Sequence, residues 1–114
     1  MTTIRIADFT KSPGGRYVAD GPYSGEWFRN EVLVPALRDA SDRHEVTVVE
    51  LDGTSGYGSS FLEEAFGGLV RKRLVDVSAL REHLKIVART PLYAPYRELA
   101  EKYIASAKPE VVAA

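Results

Sequence analysis

The sequence predicts one α/β domain: a mainly parallel, four-stranded mixed sheet with an N-terminal hairpin and about three helices. Three observations lead there. Short β-branched apolar runs alternate with longer stretches of helical spacing, and that β(β)αβαβα order favours parallel strands joined by helical crossovers. At 114 residues and 45% hydrophobic content, the chain suits a single domain, residues 1–114, with one core. Residues 46–73 form a strand–turn–helix unit around which the remainder is arranged. Its opening run, Val46-Thr-Val-Val-Glu-Leu51, is short and apolar, as expected of a strand covered on both faces.

From the N-terminus, Ile4, Ile6 and Phe9 alternate with polar neighbours, so residues 3–9 read as a first strand. Ser12-Pro13-Gly14-Gly15 is a turn signal, and Arg16-Tyr17-Val18-Ala19 returns as the second strand of an edge hairpin. A loop over residues 20–25 follows, with Ser24 as the expected N-cap of a helix over 25–41. Pro35 falls inside that helix, where it removes a donor and crowds the Glu31 carbonyl, which predicts a kink or a late start.

After Leu51, the glycines of Asp52-Gly-Thr-Ser-Gly-Tyr-Gly58 allow a tight turn. Phe61, Leu62, Ala65, Phe66, Leu69 and Val70 then fall on one helical stripe, with Glu63, Glu64, Arg71 and Lys72 expected toward solvent. Gly67-Gly68 weakens that helix by roughly 1 kcal/mol per residue relative to alanine, a cost that a close backbone approach by another helix or by a partner explains, and that simple tolerance explains equally well. Residues 75–83 are ambiguous, with a short helical turn as one solution. Leu84, Ile86 and Ala88 predict the last strand, and residues 94–107 the last helix, with Pro95 in its first turn and a supporting Glu98–Lys102 pair. Pro109 ends it and leaves 109–114 as a frayed tail.

Composition excludes several classes of function. Fifteen basic against sixteen acidic residues leave no basic excess for nucleic acid or a membrane surface. The absence of cysteine removes disulfides and thiolate metal sites. There is no signal-peptide pattern and no apolar run of the roughly 20 residues that cross a bilayer, so a cytoplasmic protein is expected. His44 and His83 stand beside charged residues at element edges and are expected at the surface, and neither they nor any His/Asp/Glu spacing predicts a metal site or a catalytic set. No catalytic residue, cofactor or metal ligand is assigned.

The serine pair is the site candidate. Ser60 with Glu63 fits a capping box, a purely structural role. The alternative is that Ser59 and Ser60, on a glycine-flanked turn, are open to a kinase, because a helix start tolerates the added negative charge. Gly56, Tyr57 and Gly58 with the serines could instead hold a phosphate-bearing ligand, though neither a dinucleotide fingerprint nor a P-loop is present. Asp20, Ser24, Glu26 and Arg29 lie on or just after the loop that precedes the first helix, and if the helices follow parallel strands this loop could open on the same sheet edge as the serine turn. Arg16 or Arg29 would then face the serines, and Asp52 would cap the turn or accept a proton. Tyr23, Trp27 and Tyr57 are candidate interface anchors.

The run Leu51-Asp52-Gly-Thr-Ser-Gly-Tyr-Gly58-Ser59-Ser60-Phe61-Leu62-Glu63-Glu64-Ala-Phe-Gly-Gly-Leu69 resembles the signature of the bacterial STAS-like domain of unknown function. That family is similar to anti-sigma factor antagonists. The resemblance implies a small regulatory module acting by protein–protein contact and performing no catalysis. It also implies a switch kinase of the histidine-kinase-like ATPase type as partner, and a phospho-acceptor at Ser60 with Ser59 as neighbour. The chain departs from the antagonists' Asp-Ser-Ser-Gly motif at Gly58 and at Phe61. The competing expectation is a small phosphate- or nucleotide-binding domain or enzyme using the same loop. Partner identity and oligomeric state are not legible in the sequence.

Overall fold

Three parallel strands in spatial order β1-β2-β3 form the sheet of this protein, seen in a computed structural model that describes residues 1–111. They are β1 (Thr2–Arg5), β2 (Thr47–Glu50) and β3 (Leu84–Val87), with Ile4 opposite Val49 and Val49 opposite Ile86. Four helices accompany them: α1 over residues 25–43, α2 over 59–71, α3 (Val77–His83) and α4 (Ala94–Ser106). The sheet therefore has three strands rather than four, it is wholly parallel, and the ambiguous segment before β3 is a fourth helix.

The missing strand is the return of the expected hairpin. Residues 16–19 do not pair with β1, because their backbone is engaged elsewhere. Gly25 N–H bonds the Gly15 carbonyl and Glu26 N–H the Arg16 carbonyl, at 2.9 and 3.0 Å, so this segment closes the start of α1. Tyr17 N–H bonds the Asp20 carboxylate at 2.8 Å, ahead of a 3-10 turn at Val18–Asp20. Another 3-10 turn, Ile6–Asp8, replaces the second half of the predicted first strand.

Helices α1 and α2 each contain a π turn. In α1 it spans Arg29–Leu33, where Val34 N–H reaches back to the Arg29 carbonyl, and Pro35 follows at once. The widened turn supplies the room that a proline ring needs against the preceding carbonyls, so α1 continues through Pro35. In α2 the π turn spans Glu63–Gly67. Gly67 and Gly68 meet close neighbours here: a β-carbon on Gly68 would lie 2.5 Å from an Arg29 Nη, and one on Gly67 3.5 Å from the Tyr103 Cβ of α4. The close approach expected at this glycine pair comes from α1 and α4 of the same chain.

One face of the sheet, with Ile4, Val49 and Ile86, joins Phe28, Leu33, Phe61, Phe66 and Leu69 in the core. The opposite face carries Thr3, Val48 and Lys85 in one row and Arg5, Glu50 and Val87 in the next. Val48 and Glu50 are still buried, though Val48 lies outside the core cluster. Glu50 is bracketed by two arginines, Arg5 at 3.3 Å and Arg89, rather than roofed by apolar side chains. The prediction of a central strand with apolar cover on both faces thus holds for one face only.

On α4, Arg97 pairs with Glu101 at 3.3 Å, and the expected Glu98–Lys102 pair is not formed. The chain beyond it is tied down at Glu110, whose N–H bonds the Arg71 carbonyl at 2.8 Å and whose carboxylate meets Lys72 at 3.1 Å. The predicted fraying is thus replaced by anchorage at that point, and residues 112–114 lie outside the described residues.

Candidate functional site: a braced serine turn

Loops from the carboxyl ends of all three strands converge on the turn between β2 and α2. Asp52 accepts the N–H groups of Arg89 and Thr90, at 2.8 and 3.0 Å, and the Thr90 hydroxyl at 2.9 Å. It thereby clamps the end of β2 to the end of β3. Burial pushes this carboxyl up, but the three donors outweigh it and hold it below the usual carboxylate range. The Tyr57 hydroxyl donates to the Leu51 carbonyl at 2.6 Å, and the Tyr93 hydroxyl to the Thr54 carbonyl. Burial raises the Tyr57 phenol well above its ordinary value, so it stays a neutral donor. Tyr57 is therefore a buried brace, not an exposed anchor. Gly56 lies at φ 120°, and a β-carbon there would come within 2.8 Å of the Tyr96 hydroxyl.

From the first loop, residues 11–14 lie against the same turn. Ser55 N–H bonds the Lys11 carbonyl at 2.7 Å and Gly58 N–H the Pro13 carbonyl at 3.0 Å. A β-carbon on Gly58 would stand 3.0 Å from the Gly14 carbonyl oxygen, so a glycine is needed where the two backbones meet. The first loop does reach the serine turn, but through Lys11 to Gly14 rather than through the charged residues Asp20 to Arg29. Ser24 is buried as the N-cap of α1, accepting the Trp27 N–H at 3.0 Å.

Ser59 and Ser60 open α2. Ser59 is exposed and Ser60 half-buried. Gly58 is the N-cap and offers no side chain, so the Ser60–Glu63 capping box does not form. The first helical amide to be bonded is that of Leu62, to the Gly58 carbonyl at 3.3 Å. The amides of Ser59, Ser60 and Phe61 have no partner among the described residues.

Glu63 is held instead in a cluster that spacing alone did not reveal. Glu64, expected at the surface, is 2% exposed and pairs with Arg29, itself 3% exposed. Arg16 and Arg71 complete the cluster, each reaching both Glu63 and Glu64, with 3.1 Å to a Glu64 oxygen in both cases. Burial pushes the Glu64 carboxyl up, but the Arg29 and Arg16 guanidiniums reverse this and hold it below the ordinary range. Arg29 also donates to the Glu64 main-chain carbonyl at 3.1 Å, so the two π turns are joined through it. The prediction that Arg16 or Arg29 faces the serines is corrected: both turn to the glutamates one helical turn further along, because a buried carboxylate draws the nearest cations. Their only sequence signal was the paired acids at 63 and 64, read as a solvated face.

His83 is buried, with Nδ1 2.7 Å from the Glu45 carbonyl, while exposed His44 ends α1 in a left-handed conformation. His83 is thus a structural group rather than a surface one. No group of acidic or histidine side chains among the described residues could hold a metal, and no helix among them is long and apolar enough to cross a membrane.

A small parallel α/β module, with a helix-opening serine pair braced at the carboxyl edge of its sheet, is the class of protein that this geometry defines. The chain belongs to the family described as a STAS-like domain of unknown function, whose sequence model matches residues 24–91. The match runs from the cap of α1 to just past β3 and leaves β1 and α4 outside it. Comparison with curated proteins and with solved structures gave no match.

Proposed function

We propose that this protein is a regulatory module in the manner of anti-sigma factor antagonists, working by protein–protein contact at the serine turn and the first turns of α2. Phosphorylation there, by a switch kinase of the histidine-kinase-like ATPase type, is its control. Ser60 is the acceptor by position in the motif, and Ser59 is its more exposed neighbour. The observation that supports this most is an exposed hydroxyl and three unpaired amides at the start of a 13-residue helical segment, on a turn braced from every side. A phosphate placed there adds roughly −1.5 to −2 charges, which the open amides and the macrodipole accommodate but a docked partner does not.

A phosphate-cradling enzyme or binding domain is the weaker reading. The turn's amides at Ser55, Gly56 and Gly58 are already bonded within the protein, at 2.7, 3.2 and 3.0 Å. They are not free for a ligand, which would be left with the Ser59, Ser60 and Phe61 amides alone.

Intact-protein mass spectrometry of material from growing cells, with site mapping, tests the control step. The expected finding is a single added phosphate on Ser60 or Ser59. Quantitative pull-down with native and Ser60→Asp protein should then retain a histidine-kinase-like ATPase with the native form and lose it with the variant. Equal retention by both forms, or none by either, would refute the switch.

A further inference from the structure

We propose that the free edge of β3 is a second docking surface, one that receives an extended acidic segment of a partner protein as a fourth strand. The sheet ends at β3, with nothing paired beyond it among the described residues. Leu51 N–H bonds the Val87 carbonyl at 3.1 Å, so Val87 directs its backbone toward β2. Alternation along the strand then turns the N–H and C=O of Ile86 to the outside, where they have no partner among the described residues. This edge is the floor of a groove of about 470 Å³ between α3 and α4. Leu80, Ile86 and Ile104 give the groove an apolar base.

Charge selects the occupant. Four ionic side chains rim the groove: Arg81, Lys85, Arg97 and Glu101. Arg97 and Glu101 neutralise one another at 3.3 Å, whereas Arg81 and Lys85 have no acidic partner among the described residues. A second copy of this chain, paired edge to edge, would set these cations against their own duplicates. An incoming strand with apolar side chains on one face and carboxylates flanking them matches both base and rim. Open main-chain groups supply register, and alternate side-chain pockets supply selectivity, as in other strand additions.

The test uses the full chain, isotopically labelled, with an acetylated and amidated hexapeptide of alternating valine and glutamate. Amide shifts are expected from Leu84 to Ala88 and in α3, with hydrogen exchange slowed at Ile86. The double variant Arg81→Glu, Lys85→Glu keeps its fold by circular dichroism and weakens binding about tenfold or more. Ser60→Asp binds the peptide as the native chain does, so failure here and failure of the serine switch are distinguishable. No shift at Ile86 with millimolar peptide would overturn the proposal. So would equal binding by a control hexapeptide with lysine in place of each glutamate, or a sedimenting dimer that occupies this edge.

Discussion

Removing the Glu64 carboxylate tests the central packing of this protein, because it leaves the Arg29 guanidinium inside the molecule without a counter-charge. The two side chains are only 2% and 4% exposed, so water cannot replace the lost partner. Arg29 would keep two neutral acceptors, the Asn30 side chain at 3.0 Å and the residue-64 main-chain carbonyl at 3.1 Å. Breaking such a buried pair from one side costs about 3–5 kcal/mol. At about 4 °C per kcal/mol for a domain of this size, Glu64→Ala should lower Tm by roughly 12–20 °C. Arg71, whose side chain is 25% exposed, belongs to the same cluster but remains in contact with solvent, so Arg71→Ala should cost about 1 kcal/mol. Urea denaturation followed by far-ultraviolet circular dichroism at pH 7 measures both. If Glu64→Ala costs no more than Arg71→Ala, the cluster is not a buried structural unit and the reasoning fails.

The same carboxylate sets a pH dependence. Its folded-state pKa lies below the ordinary 4.5, since the arginines overcome the effect of burial. The unfolded chain therefore takes up the proton first. The stabilisation is whole above about pH 4.5 and is lost as pH falls through the folded value. Glu64→Gln lacks this contribution, so the stability gap between native and variant protein should narrow on acidification. A gap that widens would contradict the assigned direction.

Two other outcomes follow from particular contacts. Gly25→Ala places a methyl 2.6 Å from the Phe61 carbonyl oxygen and 3.2 Å from the Glu64 Cβ, both on α2. Since backbone cannot yield as a side-chain tip can, a loss of about 1–3 kcal/mol is expected by thermal melting, and an unchanged Tm would mean that α1 and α2 are further apart than described. Asp52→Ala frees the Arg89 and Thr90 amides, so hydrogen exchange at those two amides should rise while the core of β2 stays protected. Exchange unchanged at both positions would show that the carboxylate does not hold the two strand ends together.

The sequence by itself determined the alternation of strands and helices, the serine pair at a helix start, the Ser24 cap and the membership of the family. Each of these is written in neighbouring residues, through periodicity, turn chemistry or a contiguous motif. Only the tertiary structure decided the fate of residues 16–19, which resemble a strand but supply carbonyls to α1 instead. Pro35 likewise promised a disruption, and the π turn before it removed the need for one. Glu64 is the sharpest case, since two consecutive acids on a helix look solvated until Arg16, Arg29 and Arg71 arrive from three separate segments. Periodicity ranks side chains by their own transfer free energy, whereas burial of a charge depends on partners that only chain folding brings within reach. The free edge of β3 belongs with these, because an absent neighbouring strand leaves no mark on the residues that would have paired with it.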